Sequence, residues 1–103
     1  MITYKVDFES IPWESPIEGM RFKALKQEGR QLRLVEYSQE MEPHWCEKGH
    51  FGYLLAGSFE IRIGDEVHAY EPGDGIFLPP GKAHRHMGRV PSGVARVIFV
   101  EEV

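Results

Sequence analysis

Hydrophobic and polar residues alternate along most of this chain with a period of two. Ile2, Tyr4, Val6 and Phe8 are interleaved with Thr3, Lys5, Asp7 and Glu9, and Phe59, Ile61 and Ile63 with Glu60 and Arg62. Successive side chains of a strand point to opposite faces, so this is strand periodicity. It predicts strands over Leu32–Tyr37, Phe59–Ile63, Glu66–Tyr70, Ile76–Leu78 and Val94–Val100, with a weaker one over Met20–Leu25. Phe51–Leu55 is a short unbroken apolar run, which predicts a strand covered on both faces. A further strand is expected over Ala83–Met87. No segment carries a helical stripe with caps.

Turn chemistry separates these runs. Gln27-Glu28-Gly29-Arg30, Gly64-Asp65, Pro72-Gly73-Asp74-Gly75, Pro79-Pro80-Gly81 and Pro91-Ser92-Gly93 all read as turns. Short, regularly spaced strands with Gly/Pro turns imply an all-β barrel or sandwich. Residues 1–20 read as an extended N-terminal arm. Pro12 and Pro16 deny a central strand its donors, which puts this piece at an edge or in a loop. Trp13 is expected to anchor it, on the domain itself or on a partner chain. Residues 21–103 are expected to form the barrel, with Phe51, Tyr53, Phe59, Tyr70 and Phe77 mostly in its core.

Composition narrows the picture. A chain of 103 residues is one domain, and its 42% hydrophobic content is ordinary globular usage. The net charge of −4 is shared evenly by the two halves, with no basic stripe, so neither nucleic acid nor an anionic membrane is an expected partner. The N-terminus has no apolar signal core, and no apolar run approaches the roughly 20 residues of a membrane span. A single cysteine excludes an intramolecular disulfide framework. A cytoplasmic protein is the simplest expectation.

The candidate chemistry is concentrated in two segments. Four of the five histidines and the only cysteine lie in Pro43–His50 and Gly81–His86. His44 and Cys46 are two apart, as are His84 and His86, and on a strand such pairs share a face. If the two segments form neighbouring walls, imidazoles and a thiolate can meet at one metal ion. Each residue also has a plainer reading, Cys46 as a buried inert thiol and His86 as a pocket contact or a satisfied polar group. His68 lies outside both segments and reads as a surface or core residue. Arg85 and Arg96 could hold an acidic ligand. The glycines do not form a phosphate loop, since no Gly-Lys-Ser/Thr follows a strand, and no Ser-His-Asp arrangement is discernible.

From Glu42 to Gly88 the sequence resembles a cupin domain. The first cupin motif, H-x-H-x(3)-E-x(6)-G, is matched in spacing by His44, Cys46, His50 and Gly57. The second, G-x(5)-P-x-G-x(2)-H-x(3)-N, is matched by Gly73, Pro79, Gly81 and His84, with Gly88 in place of Asn. The resemblance implies a double-stranded β-helix, the jelly-roll cupin barrel, and, because small cupins often dimerise through edge strands, a homodimer in which residues 1–20 extend across the two-fold partner. Carried over position by position, it implies His44, Cys46, His50 and His84 as metal ligands, with a thiolate replacing one imidazole and an imidazole replacing the carboxylate. Nitrogen and sulfur donors select a divalent transition metal, zinc or iron foremost and nickel or copper next, over magnesium or manganese. The function expected is a metal-binding cupin acting on a small polar molecule as an oxygenase, isomerase or lyase. The alternative is a non-catalytic metal- or ligand-binding or sensory module.

Overall fold

The computed structural model describes residues 1–103 as an all-β protein of two antiparallel sheets. The strands are β1 (Glu14–Ile17), β2 (Met20–Gln27), β3 (Arg30–Ser38), β4 (Trp45–Cys46), β5 (His50–Ala56), β6 (Phe59–Ile63), β7 (Glu66–Tyr70), β8 (Gly75–Leu78), β9 (His86–Arg89) and β10 (Val94–Glu102). One sheet runs β1-β2-β3-β10-β5-β8 and the other β4-β9-β6-β7. The last strand therefore sits in the middle of the larger sheet, paired with β3 on one side and β5 on the other. This is the jelly-roll arrangement: neighbours in space are distant in sequence.

The alternation decides which side chains enter the space between the sheets. From β3 come Arg33, Val35 and Tyr37, from β10 Ala95, Val97, Phe99 and Glu101, and from β6 Phe59 and Ile61, all buried. Leu54, Ile76 and Leu78 complete the inner face of the larger sheet. A fully buried Leu such as Leu54 contributes roughly 1.5–3 kcal/mol through removal of its apolar surface from water. Two inward positions, Arg33 and Glu101, are charged, which marks this face as more than a core.

Two glycines are fixed by close approach. Gly57 has φ +81°, and a Cβ there would lie 2.1 Å from the Val94 carbonyl oxygen. At Gly88 a Cβ would lie 2.6 Å from the tip of the Phe59 ring. The residue that departs from the second motif thus makes room for the aromatic ring opposite it.

Several expectations are corrected. Residues 2–9 are not a strand: the chain there is irregular, with a 3-10 turn at Phe8–Ser10. It is held to its own sheet by side-chain bonds, with Thr3 and Gln27 exchanging hydrogen bonds of 2.9 and 2.8 Å and Lys23 Nζ donating to the Phe8 carbonyl at 2.8 Å. Trp13 packs on the same chain, with the Arg21 guanidinium 4.1 Å from its ring centroid. The Phe51–Leu55 strand is covered on one face only, because Phe51, Tyr53 and Leu55 point outwards and are exposed, as is Phe77. Phe59 is core and Tyr70 half-buried. The strand expected over Ala83–Met87 begins only at His86, after a 3-10 turn at Lys82–His84. No helix is long and apolar enough to cross a membrane.

Candidate metal centre

Three potential ligands converge between the sheets. Cys46 and His86 face each other across the β4–β9 ladder, and directly opposed residues project to the same side. His50 opens β5 in the other sheet and enters the same space. Donor atoms of Cys46, His50 and His86 all lie within 4.8 Å of one another. Cys46 Sγ is 3.7 Å from His50 Nε2, and the His50 and His86 rings meet edge to face at 5.1 Å. Both histidines are buried.

The second nitrogen of each ring is already engaged. His86 Nδ1 is 3.2 Å from the His84 carbonyl oxygen, to which it donates, leaving Nε2 free. Burial lowers the pKa of His86; the bond to the His84 carbonyl opposes this, and the charges of His50 and His44 add to it. His86 is thus held in the neutral form that a metal requires. His50 Nδ1 lies on Glu101 Oε2. Glu101 also receives Arg33 Nε at 2.6 Å, Arg33 Nη2 at 2.7 Å and Gln31 Nε2 at 2.8 Å. Burial alone would raise the Glu101 carboxyl, but hydrogen bonds from His50 and Arg33, together with their charges, hold it down at about 2.

The cluster lines a cavity of about 1000 Å³ between the sheets. Tyr37, Phe59, Ile61, Leu78 and Phe99 give it apolar walls, and His44, Trp45 and Lys48 stand at its exposed side. The Tyr37 ring stacks on Phe59 with centroids 5.1 Å apart. Burial, opposed by Arg33 and reinforced by Glu101 and Cys46, pushes the Tyr37 phenol up to about 12. It therefore stays protonated at neutral pH and is a hydrogen-bond donor available to the cavity.

The sequence-derived ligand set maps unevenly onto this geometry. Cys46 and His50 are in the cluster. His44 lines the cavity but lies outside the cluster, exposed, with Nδ1 3.3 Å from the Glu42 carbonyl oxygen. His84 is exposed in its 3-10 turn, neither in the cluster nor among the lining residues, and contributes its backbone carbonyl to His86 instead. The cause is local. Gly81, at φ +112°, starts the turn, and the backbone N–H groups of His84 and Arg85 donate to Gly81 and Lys82 at 3.1 and 3.3 Å. The inward parity of the strand consequently begins at His86. Of the two arginines singled out for an acidic ligand, Arg96 is bonded to Glu36 at 2.9 Å and Arg85 lies over the Trp45 ring at 4.6 Å. His68 is at the surface, near Glu66.

Arg33, Tyr37 and Glu101 escaped the sequence reading. A signal for them existed. Arg33 shares the parity of Val35 and Tyr37, and Glu101 that of Val97 and Phe99, so both charges fall on inward positions of amphipathic strands.

Comparison with known proteins agrees with this architecture. The chain is similar to the structure of KdgF from Halomonas sp., at 18% identity, TM-score 0.72, covering 100% of this chain and 96% of that one. It is similar to the polyketide cyclase RemF from Streptomyces resistomycificus, at 22% identity, TM-score 0.75, covering 98% and 80%. It is also similar to a sugar phosphate isomerase of the cupin superfamily from Silicibacter pomeroyi, at 18% identity, TM-score 0.74, covering 96% and 75%. No curated protein matches this chain in sequence. The model of the cupin domain matches residues 32–101, which contain every member of the cluster as well as Arg33 and Glu101. The matched span exceeds half of the chain, and with two antiparallel sheets enclosing the site the protein belongs to the cupin family.

Proposed function

We propose that this protein is a metal-dependent cupin acting on a small polar molecule, with Cys46, His50 and His86 as the protein ligands. The observation that carries the proposal is the convergence of one sulfur and two imidazoles, both with Nδ1 engaged elsewhere, on the wall of an open cavity. This donor set fits a divalent transition metal, zinc or iron first, because sulfur and imidazole are soft-to-borderline ligands. Three protein ligands leave a coordination position for substrate or water, the pattern of catalytic rather than structural zinc. When bound, the ion would supply Lewis-acid or oxygen-activating chemistry, consistent with an isomerase, lyase or oxygenase.

The chain's own residues would do the rest. The apolar walls exclude water from one side of the substrate. Tyr37, protonated at neutral pH, would donate a hydrogen bond to a substrate oxygen. His44, at the open side of the cavity, is placed to contact a polar substrate or to add a fourth ligand. The motif position, His84, is exposed and outside the cluster and the cavity lining, so the geometry favours His86. RemF, a cyclase, and the Silicibacter pomeroyi isomerase are in keeping with small-molecule chemistry in this barrel. The thiolate ligand favours a reducing compartment, for which we take the cytoplasm.

A second reading is a closed, non-catalytic binding or sensory centre, favoured by the presence of His44 on the same cavity. Cobalt substitution separates the two. Cobalt(II) should bind one equivalent per chain with an intense sulfur-to-metal charge-transfer band that Cys46→Ser abolishes. A spectrum that shifts with azide or cyanide indicates an open position and the enzyme; a tetrahedral spectrum indifferent to them indicates the closed module. No thiolate band in the wild type would refute both.

A homodimer belongs to the same proposal. Trp13 packs against Arg21 and Lys23 of β2, on the outer face of the larger sheet. Over β10, β5 and β8 the same face exposes Phe51, Tyr53, Leu55, Phe77 and Val100. The Phe51 and Phe77 rings stand edge to face at 4.7 Å, forming one apolar ridge. Patches of this kind mark interaction sites, and a second copy of the chain offers the matching surface under a two-fold axis.

A further inference from the structure

We propose that Glu101 is the positioning residue of this centre, holding His50 in the Nδ1-protonated tautomer so that an unprotonated Nε2 faces Cys46, with Arg33 and Gln31 fixing the carboxylate. The inference rests on the metal centre proposed above. Its basis is a set of contacts across three adjacent strands: His50 at the start of β5, Glu101 near the end of β10, and Gln31 and Arg33 on β3.

The carboxylate is fully subscribed. Oε1 accepts from Gln31 Nε2 and Arg33 Nε, and Oε2 accepts from Arg33 Nη2 and His50 Nδ1. An ionised carboxylate offers about four lone-pair sites, and here each has a donor. Glu101 therefore has nothing left for an ion and acts only through His50. A free imidazole prefers its proton on Nε2, the nitrogen that must be bare for ligation. An acceptor fixed at Nδ1 reverses that preference before any metal arrives, and such partners orient and strengthen metal-binding histidines.

Stability alone does not account for the pair. Arg33 and Glu101 are 8% and 6% exposed, and a buried ion pair often contributes no more than well-packed apolar residues of the same volume. Placing two charges on an otherwise apolar inward face is intelligible if they must hold a third group still. The arrangement also bears on the first motif. His50 stands where that motif has glutamate, and a carboxylate returns from the last strand, one hydrogen bond behind the ligand.

The most direct test reads the imidazole nitrogens. In the metal-free wild type, at a pH where the rings are neutral, long-range proton–nitrogen NMR should show His50 protonated on Nδ1. In Arg33→Met/Glu101→Leu, which removes both buried charges together, His50 should shift towards Nε2–H and the cobalt dissociation constant should rise 10–100-fold. Arg33→Met/Glu101→Gln restores an oxygen acceptor and should recover the tautomer and most of the affinity. Wild-type His50 protonated on Nε2 would overturn the inference whatever the metal result, and needs no variant to fold. A folded Leu variant with unchanged tautomer and cobalt affinity would overturn it equally. A wild type protonated on Nδ1 that binds no cobalt would instead overturn the centre, and with it the role assigned to Glu101.

Discussion

At the scale of single residues, the centre turns on which histidine of the Gly81–His86 segment faces inwards. Motif spacing points to His84, whereas the 3-10 turn delays the strand until His86 and brings that residue opposite Cys46. His86→Ala should lower zinc or cobalt affinity by at least tenfold, because it removes one of three converging donors. His84→Ala keeps the backbone carbonyl that orients His86 and should leave affinity within about twofold of the wild type. Competition titrations with a chromophoric chelator would separate the two variants, and the reverse order would restore His84 as the ligand. Motif spacing puts Cys46 and His50 in reach of each other, and the fold brings them together. The spacing does not distinguish His84 from His86, because the length of the turn that follows Gly81 decides which of them faces inwards. Arg33 and Glu101 could have been found by carrying strand parity through charged positions rather than apolar ones alone.

At the scale of elements, Glu101 ties β10 to both of its neighbours, reaching Arg33 and Gln31 on β3 and His50 on β5. The donors around it hold its carboxyl down at about 2 in the folded protein against an ordinary 4.5, which corresponds to about 3 kcal/mol. A depressed carboxyl stabilises the fold above its unfolded pKa and loses that contribution as pH falls through its folded one. Stability measured by denaturant unfolding should therefore decline steeply between about pH 5 and about pH 2, and the slope should flatten in Arg33→Met/Glu101→Leu. An equal slope in that variant would assign the acid sensitivity to other groups. The strands themselves were largely readable, since alternation and turn residues fix β2, β3, β6, β7, β8 and β10 to within a few residues. Besides Ala83–Met87, the exception was the alternating stretch at residues 2–9. There the side-chain pattern was right for a strand, but the larger sheet already ends at β1 and the segment docks by side-chain hydrogen bonds instead.

At the scale of the whole molecule, the larger sheet has an inner face that builds the cavity and an outer face only half clothed. The apolar run Phe51–Leu55 implied cover on both sides, and a single chain supplies it on one. If a second copy supplies the other, Phe77→Glu, which places a charge on the most exposed ring of the ridge, should convert the protein from dimer to monomer in sedimentation velocity. The cavity side is untouched by this change, so metal affinity should persist. A wild type that sediments as a monomer would remove the dimer from the account and leave the centre standing. The candidate site is divided between the two sheets: β4 and β9 bring Cys46 and His86, while β5 and β10 bring His50 and its carboxylate.

X-ray absorption at the metal edge of the zinc-loaded protein tests the central claim most directly, because it counts the scatterers around the ion. One sulfur at about 2.3 Å with nitrogen or oxygen neighbours at about 2.0–2.1 Å, two of them showing the multiple scattering of imidazole, is the expected shell. A shell with no sulfur, or with no imidazole signature, would contradict a centre built from Cys46, His50 and His86.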